Sequence, residues 1–151
     1  MFLGVVYEYD NTVQYDNTCT SSLRLLDRLL LCSSYAELLL KLHNHELSLK
    51  FDEEEDFFES VMIVQDPWRI ILEDIQILEP TNSSLNNLDI WMAPEICNSF
   101  LLPKDKEAKL LLTEIHKQCR DKDPEKRPNA LKLFKSYKDV AQKLQLSQMS
   151  E

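Results

Sequence analysis

The chain has 151 residues, 44% of them apolar and 28% charged, with a net charge of −9. That is the length of one ordinary domain, with enough apolar material for a real core. An acidic balance of this size disfavours nucleic acid and anionic membrane as partners, because both need a basic surface, and it permits a basic protein surface.

Met1–Tyr9 reads as a strand, with Phe2, Val5, Val6 and Tyr7 as β formers. The polar stretch Asp10–Thr18 reads as a loop. Leucines at Leu23, Leu26, Leu30 and at Leu25, Leu29 give helical spacing over Ser21–Leu31. Ser33 or Ser34 then opens a second helix, since Ser34-x-x-Glu37 fits a capping box and Leu38, Leu39 and Leu42 supply an apolar face. After the carboxylate run Asp52–Asp56, the apolar runs Val61–Val64 and Arg69–Leu72 flank Gln65-Asp-Pro-Trp68, which predicts a small buried hairpin. Glu79–Asn87 reads as loop. Asp105 can cap a helix whose apolar positions are Ala108, Leu111, Leu112, Ile115 and Cys119. Asp123-Pro124 breaks the chain. Asn129 caps a last helix with Ala130, Leu131, Phe134, Tyr137, Ala141 and Leu144 on one face. The expected fold class is mainly α with a small β hairpin (α+β). One domain covers 1–144, and 145–151 forms a flexible tail.

The four cysteines (Cys19, Cys32, Cys97, Cys119) are widely spaced and form no C-x-x-C pair. An extracellular disulfide framework is open in principle, but cytosolic thiols are the plainer reading. Cys32 and Cys119 fall on apolar helix faces and read as buried structural thiols. No apolar run approaches the ~20 residues of a membrane span. Met1–Val6 lacks a basic n-region and a long apolar core, so it is no signal peptide, and a cytoplasmic location is expected.

Two stretches carry a resemblance. Trp91-Met-Ala-Pro-Glu-Ile96 resembles the Ala-Pro-Glu end of a protein-kinase activation segment. Cys119-Arg-Asp-Lys-Asp-Pro-Glu-Lys-Arg-Pro128 resembles the Asp-Pro-x-x-Arg-Pro turn near the end of the kinase C-lobe. In this order the elements look like a truncated protein-kinase C-lobe of the tyrosine-kinase-like kind. Gly4–Asp10 looks like the last N-lobe strands entering the hinge. The two leucine-rich helices look like the pair after the hinge, and the hairpin like the strands below the nucleotide. Asp74-Ile75-Gln76 stands where the family has Asp-Phe-Gly. The resemblance pairs Glu95 with Arg127 inside the lobe and makes Trp91, Ala93, Pro94 and Glu95 the end of the activation segment.

The departures imply loss of chemistry. Ser60 falls where the family has its metal-binding Asn, Glu53-Glu54-Glu55 where it has His-Arg-Asp, and Phe57 where it has the catalytic-loop Lys. Gly4 is the single glycine, so this chain holds no glycine-rich loop. Phosphoryl transfer is mostly positioning and charge neutralisation, and nearly every positioning part is missing here. Only Ile96–Lys104 separates Ala-Pro-Glu from the next amphipathic helix, too little for the family's long buried helix.

Other candidates read as bland. Asp74 alone is a plain acidic residue rather than a metal ligand. Glu54 and Glu55 have nothing to orient them as a general base. Asp52–Asp56 is a solvated run that could also dock a basic partner. His43, His45 and His116 read as surface histidines. Thr81, Ser83 and Ser84 could take phosphate, as any exposed loop could. Trp68 and Trp91 read as packing aromatics. The expected function is a catalytically inactive, pseudokinase-like domain with no cofactor and no metal. It would act by protein contact, as adaptor or as decoy of a true kinase. The alternatives are part of an active kinase whose N-lobe is missing from this chain, and an unrelated helical interaction domain without the hairpin.

Overall fold

The computed structural model describes residues 12–13, 22–65, 67–80 and 87–149. The elements are β1 (Thr12–Val13), α1 (Leu25–Asn44), β2 (Leu47–Leu49), α2 (Glu54–Glu59), β3 (Val61–Val64), β4 (Arg69–Leu72), β5 (Leu78–Pro80), α3 (Leu88–Trp91), α4 (Ala93–Phe100), α5 (Lys106–Cys119) and α6 (Ala130–Met149). Short 3₁₀ turns lie at Ile75–Ile77 and Pro124–Lys126. The expected strand Met1–Tyr9 and the residues Cys19, Thr81, Ser83 and Ser84 lie outside the described residues.

The two expected leucine-rich helices are one. α1 runs unbroken for 20 residues. The serines read as a helix start are used otherwise: Ser33 Oγ donates to the Leu30 carbonyl at 2.9 Å, and Ser34 Oγ accepts the Ile70 N–H at 2.8 Å. Both leucine sets fit because α1 is covered nearly all round. Leu29, Leu31, Cys32, Tyr35, Ala36 and Leu39 are buried, and the helix packs on α6, α4, β4 and β2. A helix apolar on every side has to lie inside the domain.

The hairpin forms as expected, with Val61 opposite Leu72 and Val64 opposite Arg69. It extends to a three-stranded antiparallel sheet in the order β1-β3-β4, so Thr12 and Val13, expected in a loop, pair with Val64 and Ile63. A second ribbon joins β2 to β5, with Leu49 opposite Leu78, so the segment expected as loop from Glu79 opens in a strand. α6 continues through Met149, where a tail is expected from Gln145. Leu144 is its last deeply buried residue, and Gln145–Ser147 are exposed on a helical backbone.

Two reversals use the left-handed backbone region without glycine. Glu46 (φ 60°) ends α1, and Asn87 (φ 43°) precedes α3. Asn tolerates this region through its short polar side chain, and here Asn87 Nδ2 donates to the Pro124 carbonyl at 3.1 Å.

Two long-range ties close the domain. Arg28 and Asp105, both buried, form a fork: Nε donates to Oδ2 at 2.9 Å and Nη2 to Oδ1 at 2.6 Å. Arg28 Nη1 also donates to the Leu23 carbonyl, and Asp105 Oδ2 accepts the Leu102 N–H at 2.8 Å. Asp105 therefore makes no side-chain cap on α5, as its sequence position suggested, because its carboxylate is committed to Arg28 and Leu102. Cys32 and Cys97, read as thiols, form a disulfide between α1 and α4, with Cα atoms 4.8 Å apart. Cys119 remains a free, buried thiol.

Removing one partner of a buried ion pair leaves the other uncompensated. Asp105→Ala should therefore cost about 3–5 kcal/mol in urea unfolding. Burial alone would raise the Asp105 carboxyl, but the Arg28 hydrogen bonds, the Leu102 N–H and the cationic neighbours hold it below the usual value. The folded carboxyl thus sits below the unfolded one. Its contribution is complete above the unfolded value of about 4 and is lost as pH falls further. An acid-unfolding curve without a loss of stability below that point would contradict the fork. The disulfide closes a long loop (sequence separation 65), and Cys32→Ala/Cys97→Ala should lose about 4 kcal/mol.

Candidate functional site

The residues aligned with kinase chemistry gather where α2, β3 and the turn after β4 meet. Ser60 ends α2, and its carbonyl accepts the N–H groups of Glu73 at 2.8 Å and Asp74 at 3.0 Å. The fold thus brings together two positions that the sequence reading aligned with metal-binding residues. Each is occupied structurally. Ser60 is buried, and its Oγ donates to the Asp56 carbonyl at 2.9 Å. Asp74 Oδ1 accepts the Gln76 N–H at 2.9 Å, which caps the turn Ile75–Ile77 and leaves Ile75 exposed.

α2 itself forms inside the acidic run. Glu54, Glu55 and Asp56 fill its first turn, where the helix dipole favours negative charge. Its anchor is Phe57, fully buried against Phe51, Tyr35 and Phe58 at ring distances of 5.1–5.3 Å. Glu54 accepts a hydrogen bond from Ser99 Oγ of α4, while Glu55 points to solvent. Among the described residues no group of three or more His, Cys, Asp or Glu converges as a metal site.

A buried carboxylate supports this region, Asp89, the first residue of the stretch Asp89–Glu95 that matches the activation-segment end best. Asp89 of α3 is 1% exposed. Its Oδ2 accepts from His43 Nε2 at 2.8 Å and from the Leu49 N–H at 3.2 Å, and its Oδ1 accepts the Ile90 N–H at 2.9 Å. The Asp89 carbonyl takes the Tyr35 hydroxyl at 2.6 Å. One residue thereby ties both ends of the α1–β2 turn to α3, just upstream of the acidic loop. His43, expected at the surface, is half-buried for this reason. The available signal was an Asp directly before an apolar pair in an otherwise buried segment.

Trp91, Ala93, Pro94 and Glu95 lie in two consecutive helical segments. Pro94 has no N–H to continue the α3 ladder, which separates α3 from α4 while suiting the first turn of the new helix. Ala93, Pro94, Ile96, Cys97 and Phe100 are buried on α4, an eight-residue helix that starts inside the motif. The ion pair on Glu95 comes from Arg120, at 2.9 Å. Arg127 Nε donates to the Asp121 carbonyl at 2.9 Å, and the guanidinium groups of Arg120 and Arg127 each lie 4.8 Å from the Trp91 ring centre. Glu95 and Arg127 thus share one cluster built around Trp91, with Arg120 as the residue that sequence reading left out. Beside it, His116 Nε2 lies 2.9 Å from the Tyr137 hydroxyl. Burial, with help from Arg120, lowers His116 to about 4, and burial pushes Cys119 up to about 12. His116 is therefore neutral and half-buried rather than a surface histidine, and Cys119 is an unreactive thiol.

No protein-family model matches the chain. Protein O-mannose kinase of Gallus gallus is 39% identical over 54 residues, which cover 34% of this chain and 15% of that protein. A solved structure of a divergent kinase that lacks the glycine-rich loop, and that regulates membrane ultrastructure of the Toxoplasma parasitophorous vacuole, aligns with a TM-score of 0.52. It is 16% identical, and the match covers 76% of this chain and 47% of that one. The chain thus spans a minor part of the curated relative and about half of the structural one. No helix among the described residues is long and apolar enough to cross a membrane.

Asp89→Ala should cost about 3 kcal/mol, because it strands a buried N–H and the His43 ring together, and it should speed hydrogen exchange at Leu49. Asp89→Asn, which keeps an acceptor, should cost less. His116 adds a second pH effect. Its folded value lies below the unfolded ~6.5, so its contribution is complete above that value and is lost as pH falls towards 4. His116→Gln should flatten the stability curve between these limits.

Proposed function

We propose, from its protein kinase-like fold, that this domain does no phosphoryl transfer and works through protein contact, as an adaptor or as a decoy that pairs with a true kinase. The observation that carries this reading is the use made of the aligned catalytic positions. Ser60 is a buried donor to its own helix, Phe57 is a core aromatic, Glu54 ties α2 to α4, and Asp74 caps a turn. These four side chains have packing or hydrogen-bonding jobs, Glu55 faces solvent, and none of the five presents a Lys or Asn to a nucleotide. The solved relative described as lacking the glycine-rich loop fits a domain that departs from the usual phosphate grip.

The disulfide bears on location. Buried disulfides persist in oxidising compartments and are rare in the cytosol, so Cys32–Cys97 favours a secretory or extracellular setting over the cytoplasm expected from composition. Alkylating the protein from its native cells under denaturing, non-reducing conditions should find Cys32 and Cys97 blocked. Two free thiols at these positions would return it to the cytosol.

A second reading is part of an active phosphotransferase completed by residues outside this chain. The 39% identity to protein O-mannose kinase favours it, and the acceptor would then be a mannosyl group. A thermal shift with ATP and Mg²⁺ separates the two. Ligand at a hundredfold excess over its Kd adds about 2.7 kcal/mol. We expect no shift and no transfer from radioactive ATP. Magnesium-dependent stabilisation with labelling of an O-mannosyl peptide would replace the adaptor reading.

A further inference from the structure

The cover over α1 is open along one stripe that carries polar groups. Ser33, Ser34, Glu37 and Lys41 recur there at helical spacing. The stripe faces a cleft of about 410 Å³, walled by the β3–β4 turn, β4 and Lys138 of α6. That volume lies within the range of small-molecule sites, roughly 300–1,000 Å³. No kinase-aligned residue lines the cleft, so it is separate from the junction of α2 with the turn after β4.

The lining combines three kinds of group. Trp68, packed against the core, forms an apolar wall beside Pro67. Lys41, Arg69 and Lys138 bring positive charge, against the single carboxylate of Glu37 among the described lining residues. Arg69 is held by its own turn, where Nη1 donates to the Pro67 carbonyl at 2.8 Å. Lys41 meets one Glu37 oxygen at 3.0 Å, which leaves Lys41 with further ammonium protons to donate and Glu37 with lone pairs to accept. Ser34 Oγ accepts the Ile70 N–H, so its hydroxyl proton is left to donate.

These groups select a ligand. An aromatic wall takes the apolar face of a ring. The surplus of cations asks for an oxyanion. Glu37 repels an anion that brings nothing else, so the ligand has to offer it a donor as well. We propose that this cleft binds an acidic sugar, with its ring on Trp68, its oxyanion beside Lys41 and Lys138, and its hydroxyls on Glu37 and Ser34. A plain organic acid has no hydroxyl for Glu37, and a neutral sugar leaves the cations unmatched. The proposal goes beyond the protein-contact reading and does not depend on it.

The full chain has two tryptophans, Trp68 and Trp91, and so two indole N–H signals in a nuclear magnetic resonance spectrum. Titrating the ¹⁵N-labelled protein with methyl glucuronide or glucose 6-sulfate should shift one of them saturably. It should be the signal missing from Trp68→Phe, and added salt should weaken the binding. Methyl glucoside and cyclohexanecarboxylate each lack one of the demanded groups and should bind at least fivefold more weakly than the glucuronide. Lys41→Gln/Lys138→Gln should weaken both acidic sugars at least fivefold with an unchanged melting curve, because both lysines are exposed. Glu37→Gln should narrow the gap between the glucuronide and cyclohexanecarboxylate. No saturable shift with either acidic sugar, a shift confined to Trp91, or an unchanged affinity in the lysine variant would overturn the proposal. Equal binding of methyl glucoside or of cyclohexanecarboxylate would also overturn it, by assigning the cleft to a neutral ring or to a plain organic acid. ATP labelling is read separately, so its outcome leaves this one untouched.

Discussion

The domain is organised by the need to cover α1. A 20-residue helix with leucines on every side cannot face water, and α6, α4, β4 and β2 enclose it. Enclosure leaves its polar groups with few choices. Arg28 is buried within the first turns, and only a carboxylate in fork geometry can hold it there, which Asp105 supplies from the start of α5. His43 and Tyr35, further along, both find Asp89. The helix thus fixes where α3 and α5 begin, through polar contacts that apolar packing alone would not specify.

The same economy explains the kinase-aligned region. A protein kinase-like fold brings the end of α2 and the turn after β4 to one place, and the backbone of Ser60 joins them directly. In this chain the side chains at that junction hold the fold together. Phe57 fills the core, and Asp74 and Ser60 satisfy local backbone groups.

Much of this was legible from residues alone. The hairpin could be read because apolar runs flanking a Pro turn have few alternatives, and α5 and α6 because their periodicity is clean. The junction within α1 was misread because a serine pair followed by Glu37 looks the same whether its hydroxyls cap a helix or reach across to Ile70. β1 and β5 are only two and three residues long, and their partners define them. The Trp91–Glu95 and Asp123–Pro128 stretches meet around the Trp91 ring. Glu95 takes an ion pair from Arg120, a partner that the motif resemblance alone does not name. The Arg28 fork and the Cys32–Cys97 bond are long-range, and no local pattern announces them.

The two left-handed residues have a wider consequence. A chain with one glycine has a stiffer disordered ensemble than most, since nearly every residue carries a Cβ that narrows its accessible backbone angles. Less conformational freedom is surrendered on folding, which helps offset the local strain accepted at Glu46 and Asn87. The scarcity of glycine that denies this chain a phosphate-wrapping loop thus also lowers the entropic cost of its compact state.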